Sequence, residues 1–410
     1  MLAIVIGVEI LIKNLTFCCN KRYTNLNNIC YLLGNVDTKW IFQKGERSVM
    51  ADTNTVINPG ERLLSEITKR GMKQSELAIR TGTTPKHIST IINGTKEISL
   101  SFARKLDIAL GEKSGTWASY KAEYDDYMAE MEEKNGITEE ETAIYKKMKD
   151  IVEYFIKVKV MYNNCGISEK IMQLRKILRI TSLTVIPQIT YYAAYRAQVK
   201  TSTAVDPYIL FAWQRLCEIQ TEQAEIAVQF DSKKLSDSIP AIKKQMFETD
   251  PNTMIGNLKS IFAECGVAFD VVHHFRGAPV QGFIKETDNG KVVLCVTIRG
   301  KYADKFWFSL FHEVGHLLNG DLSTRFVDFD TVRSEMEDNA DSFARDTLID
   351  PEHYKILLET DSYHDLTDIK RFAKYEGVPH WIVIGRLHND EWLDWSYFAH
   401  EIPKFEWVED

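Results

Sequence analysis

The sequence contains no Cys-x-x-Cys pair, although it has seven cysteines, at positions 18, 19, 30, 165, 217, 265 and 295. An odd number without paired spacing excludes a cysteine-rich zinc site and argues against a disulfide framework, so a reduced, cytoplasmic protein is expected. A basic excess is also lacking: 50 Lys and Arg face 58 Asp and Glu, a net charge of -8. That argues against a surface coated throughout for nucleic acid, but not against a local basic face. No hydrophobic run is long enough for a bilayer. The apolar N-terminal stretch MLAIVIGVEILI ends at Lys13, whereas a spanning helix needs about 20 residues. It has neither the basic leader nor the small-residue cleavage site of a secretion signal. Residues 13–49 show no hydrophobic period, and Met50 is followed by ADTNTVINPGERLL, which reads like an ordinary protein start. Residues 1–49 are therefore expected to be a non-native or disordered extension; a short membrane-associating leader is the rival reading. Internal repeats and low-complexity segments are absent as well.

What is present is a 410-residue chain with 44% hydrophobic residues, enough for two to four globular domains. Residues 50–133 read as a run of short helices. GERLLSEITKRG puts Leu63, Leu64 and Ile67 on one face and stops at Gly71; KQSELAIRTG ends at Gly82. Thr84 and Pro85 then supply an N-cap and a first helical position for TPKHISTIING, with Ile88, Ile91 and Ile92 inward. SLSFARKLDIALG follows, and a charged helix from about Thr116 to Glu133 closes the region. Residues 137–245 look all-helical, in long periodic stretches punctuated by Pro187, Pro207 and Pro240. They carry no chemistry and read as a spacer or regulatory domain. From 246 to 410 the pattern changes. GVAFDVVHHF, VQGFIKET and KVVLCVTIRG are short β-branched runs, with a turn signal at Asp288–Asn289–Gly290. The expected fold is mostly α with a small C-terminal α+β domain.

The stretch FWFSLFHEVGHLLNGD, predicted to be helical near Lys305–Leu318, holds His312 and His316 four residues apart. Both imidazoles then leave one helical face a turn apart and can share one zinc ion. Glu313 beside them can reach the open coordination position as a general base. A catalytic zinc needs a third protein ligand. Downstream, SEMEDNADSFARDTLIDP gives a helix with Ala340, Phe343, Ala344 and Leu348 on its apolar face and Glu337 and Asp341 on another. Glu337 is assigned as third ligand and Asp341 as the carboxylate orienting a ligand histidine; Glu335 and Asp338 are nearby alternatives. His380, Arg386, His388, Arg345 and Tyr302 are candidate oxyanion stabilisers, each more readily explained as structural. His273 and His274 sit at a strand end with little claim to a metal.

WFSLFHEVGHLL, the run Glu337-x-x-Ala340-Asp341-x-Phe343-Ala344 with LIDP, and GVPHWIVIGRL at 377–387 together resemble the ImmA/IrrE metallopeptidases over residues of about 250 to 390. The resemblance implies a zincin-like domain with one zinc, or another divalent metal, on His312, His316 and Glu337, and Glu313 as base. Members of that family cut intracellular repressors or antitoxins. Residues 58–128 resemble the Cro/repressor-like helix-turn-helix of HigA-type antitoxins. Here Thr84, Lys86, His87 and Thr90 on the second helix are expected at base edges, and Gln74 at a phosphate. Between 58 and 116, ten Lys and Arg face six acids, a local excess of positive charge. A homodimer on operator DNA is expected.

Two functions follow. One is a DNA-binding regulator carrying a zinc endopeptidase that cleaves a repressor, an antitoxin or itself. The other is a non-enzymatic antitoxin and autorepressor that neutralises a toxin from an adjacent gene, its metal domain structural or sensing.

Overall fold

In the computed structural model, which describes residues 56–192, 206–278, 280, 282–287, 290–298, 301–321 and 332–405, the chain is mostly helical with one small sheet in its C-terminal part. The expectations for residues 1–49, and for Asp288 and Asn289 of the turn, lie outside the described residues. Contacts divide the chain into two units, Met1–Tyr127 and Met128–Asp410.

The first unit contains α1 (Pro59–Lys69), α2 (Gln74–Thr81), α3 (Pro85–Ile92), α4 (Leu100–Leu110) and the start of α5 (Thr116–Asn135). Thr84 caps α3 as expected, and Asn58 and Ser99 cap α1 and α4 in the same way. The Asn58 side chain accepts from the Gly60 amide, Thr84 from His87 and Ser99 from Phe102. These side chains satisfy amides that have no partner inside their own helices. Gly82 ends α2 and Gly111 ends α4, both left-handed, where a side chain is disfavoured. Leu63, Ile67, Leu77, Ile88, Ile91, Leu106 and Trp117 form the core. Leu64 was expected inward and is instead exposed. Leu63 and Ile67 stack one turn apart on the buried face, and the next residue along points a quarter-turn away. The charged helix starts where Asp107 anchors it: its two carboxylate oxygens accept from the amides of Gly115 and Trp117, at 2.8 and 3.0 Å.

The second unit holds both the helical region of 137–245 and the sheet-bearing region beyond it. Its helices include α6 (Glu139–Lys147), α7 (Lys149–Lys157), α8 (Ile167–Leu178), α9 (Ile186–Tyr192), α10 (Pro207–Glu222), α11 (Ser232–Asp237), α12 (Ile239–Lys244) and α13 (Pro251–Glu264). The periodic stretch at 139–158 forms two helices, not one, broken at the fully buried Met148. The stretch at 208–230 stays helical only to Glu222, because Lys291 ties down the carbonyls of Thr221 and Ala224 at 2.6 and 3.0 Å. Hydrophobic period alone does not register that tertiary cap.

Strands β1 (Val267–Val272), β2 (Gly282–Glu286) and β3 (Val292–Thr297) form a sheet in the order β1-β3-β2, β1 parallel and β2 antiparallel to β3. Alternation along the strands feeds two cores. Phe269, Val271, Leu294 and Val296 join one, and Ala268, Val272, Val293 and Cys295 join the other, with Trp213 and Leu216 of α10. A sheet covered on both faces reads as an almost continuous apolar run, and β3 is buried at every position. The first of these cores is completed by α14 (Ala303–Asn319), α15 (Val332–Leu348), α16 (Pro351–Glu359), α17 (Leu366–Glu376) and α18 (His380–Asn389). Among the described residues no helix is long and apolar enough to cross a membrane.

Candidate metal centre and nucleic-acid interface

Helix α14 is apolar nearly all round and is held as a core helix. Trp307, Leu310, Phe311, Val314 and Leu317 are each buried to within 1%. Its one small residue within the motif, Gly315, faces α15. A Cβ there would lie 3.0 Å from Phe343 Cδ1 and 3.2 Å from the Ala340 backbone. The glycine thus lets the two helices approach closely enough for Glu337 to reach both histidines.

His312 Nε2 lies 3.1 Å from His316 Nε2 and 3.2 Å from Glu337 Oε2, and His316 Nε2 lies 3.6 Å from Glu337 Oε1. Donors about 2.0–2.1 Å from a tetrahedral zinc stand roughly 3.3 Å apart, so this triangle fits one face of such a site. These three residues form a group able to hold a metal ion, their ligand atoms within 4.8 Å of one another. Both imidazoles are held from behind. His312 Nδ1 is 2.7 Å from Asp341 Oδ1, and His316 Nδ1 is 2.7 Å from Asp321 Oδ2. Carboxylates at Nδ1 fix the proton there and leave both Nε2 lone pairs aimed at one point. The structure brings together His312, His316, Glu337 and Asp341, while Glu335 and Asp338 are exposed. It adds Asp321, which the sequence reading missed. The signal available was its place just after Gly320, the left-handed residue that ends α14.

Without metal, the cluster holds its own charges. Burial lowers the His312 pKa, but hydrogen bonds to Asp341 and Glu337 outweigh burial and push it up to about 10. Burial raises that of Glu337, and hydrogen bonds from His312 and His316 more than reverse this, driving it below the carboxylate range. Glu313 is 4% exposed and lies against β2. A Cβ on Gly282 would come within 2.2 Å of Glu313 Oε1, so glycine at that strand position leaves room for the carboxylate.

The candidate oxyanion groups are engaged elsewhere. His380 pairs with Glu401 at 2.7 Å, His388 Nε2 meets the Tyr397 carbonyl at 2.7 Å, Arg386 pairs with Asp390, and Arg345 donates to Ser342 at 3.0 Å. Tyr302 is tied to Lys404 only through a backbone bridge, with the Lys404 ammonium 5.1 Å from its ring centroid. The His273 ring packs 5.0 Å from Tyr154, and its carbonyl accepts from Trp213.

In the first unit, α2 and α3 are joined by a tight turn through Gly82. Lys86 and Thr84 are exposed at the start of α3; His87 and Thr90 are half-buried. The His87 ring meets Phe102 edge-on at 5.0 Å, and Thr90 donates to the His87 carbonyl at 2.8 Å. Burial, then Lys96 and Lys105, hold the His87 pKa low. Gln74 opens α2, whose N-cap residue Lys73 makes no side-chain cap, so first-turn amides stay open to an anion.

The HTH_3 helix-turn-helix family model matches residues 65–117, from within α1 to the start of α5. No curated protein matches the chain. Residues 65–117 are thus a helix-turn-helix of the kind that binds DNA, and DNA is a partner of this chain.

Proposed function

We propose that this chain is a DNA-binding regulator whose second unit is a zinc-dependent endopeptidase of the ImmA/IrrE kind, acting on a repressor, an antitoxin or the chain itself. A homodimer on operator DNA fits the first unit. The observation that carries the peptidase reading is the triangle of His312, His316 and Glu337 with Glu313 buried beside it. A purely structural zinc has no use for a base next to its ligands and ordinarily closes with a fourth protein ligand.

When bound, the metal supplies Lewis acidity at the scissile carbonyl and makes water a nucleophile near neutral pH. Glu313 takes a proton from the attacking water on its carboxylate and returns it to the leaving amine nitrogen. Asp341 and Asp321 keep the Nδ1 protons in place so that the ligand nitrogens stay basic. Gly282 keeps the position of Glu313 clear.

The test is intact mass of the full chain, native and denatured, wild type beside Glu313→Gln, with and without zinc. The expected result is equal zinc in both and zinc-dependent cleavage, of the chain or of an added repressor or antitoxin, in wild type alone. Loss of metal in Glu313→Gln would make Glu313 a ligand instead. Unchanged zinc without cleavage of any added repressor or antitoxin would favour the non-enzymatic antitoxin and autorepressor.

A further inference from the structure

The α14 face that carries His312 continues toward the helix start into a cavity of about 380 Å³, lined by α14, α15, α18 and Trp395. This is the size of a small-molecule site. Phe308, Leu348 and Ile382 give it an apolar wall. Asp304, on the first turn of α14, also lines it; the residue is 8% exposed, and its Oδ1 has no hydrogen-bond partner among the described residues. Burial pushes that carboxyl up, and neither the backbone amide and side-chain charge of Lys305 nor the charge of His388 offsets it, so a buried charge here is only partly compensated. The space for it is built in: a Cβ on Gly385 would stand 2.3 Å from Asp304 Oδ2. Two cations also line the cavity. Arg345 donates to Ser342 Oγ at 3.0 Å and Lys305 lies 5.1 Å from the Trp395 ring centroid; neither has a carboxylate partner among the described residues. Arg386, in contrast, is already paired with Asp390.

We propose that this cavity binds a small zwitterion with an apolar side chain, of amino-acid or dipeptide size. Its ammonium meets Asp304, its carboxylate meets Arg345 and Lys305, and its side chain lies against Phe308, Leu348 and Ile382. Asp341 is a wall of the same cavity and holds His312 through Nδ1. Occupancy therefore reaches the metal cluster, a consequence that rests on the metal-centre reading, whereas binding itself does not.

Calorimetric titration of the full chain with L-phenylalanine, L-leucine and leucyl-phenylalanine, each with and without zinc, tests this. At least one of them should bind at millimolar concentration or below. Phenylpropionate, which lacks the ammonium, should bind more weakly by about tenfold or more. Asp304→Asn and Arg345→Gln should each weaken binding by about tenfold or more; Arg345 is only half-buried, so its variant reads out even if the first fails to fold. No binding by any of the three, or unchanged affinity in folded variants, overturns the proposal. Equal affinity with and without zinc keeps the site and removes the coupling. A chain that binds the amino acid but not zinc keeps the site and sinks the endopeptidase reading.

Discussion

His312 is protonated in the metal-free cluster up to about pH 10, yet a metal ligand nitrogen must be neutral. Zinc binding at pH 7.5 should therefore expel about one proton per chain, measurable by calorimetry in buffers of different ionisation enthalpy. Zinc binding without proton release would mean that His312 is already neutral in the metal-free cluster. The same pair has a stability consequence. The folded pKa of His312 is raised above its ordinary 6.5, so its contribution is complete below pH 6.5 and is lost as pH rises toward 10. Glu337 is depressed; its contribution is present above the ordinary carboxylate range and lost only in strong acid. The metal-free melting temperature should thus fall from pH 6.5 to 10, while the zinc-loaded protein holds steady. Gly315 matters at the same scale. Gly315→Val forces a side chain against Phe343 and the Ala340 backbone, costing about 1–3 kcal/mol. It should also lower zinc content by moving Glu337; full occupancy measured by elemental analysis would contradict that account.

Helix α15 carries Glu337 and Asp341, and its position is set from outside itself. Lys243 of α12 donates to the carbonyls of Thr347 and Leu348 at its C-terminal end, at 2.8 and 3.4 Å. A cation there satisfies carbonyls that have no helical partner and opposes the helix dipole. Burial lowers the pKa of this lysine, part of the cost of placing it there. Lys243→Met should destabilise the second unit by about 1–2 kcal/mol and leave the thermal transition of the helix-turn-helix unit in place. If chemical denaturation detects no change, the lysine is not the cap described.

Because the chain divides into two units, the two chemistries should separate. Lys86→Ala should weaken operator binding and, if the lysine contacts a phosphate, reduce the salt slope by about one, with zinc content unchanged. Glu337→Ala should do the reverse. Gel shifts at several salt concentrations beside metal analysis decide it, and loss of both properties in either variant would mean that the units do not act separately.

Local signals sufficed for much of this. The cap at Thr84 and the glycine stops at Gly71 and Gly82 made the first unit legible, because such residues satisfy backbone groups within a few residues; the caps at Asn58 and Ser99 act in the same way but were not read from the sequence. Helical spacing likewise put His312 and His316 on one face, and Glu337 and Asp341 on another. Tertiary structure decided what depends on contacts across the chain. Asp321 holds His316 from only five residues away, but it does so through the left-handed turn at Gly320 that ends α14, which helical spacing does not foresee. Gly315 and Gly282 matter for what faces them, Phe343 and Glu313, and a lone glycine in a helix or strand does not say which neighbour it admits. The end of α10 and the seat of α15 are set by Lys291 and Lys243, each acting on carbonyls at least 67 residues away. Hydrophobic period describes one segment at a time; burial of unpaired polar groups and close helix approach are properties of the packed whole.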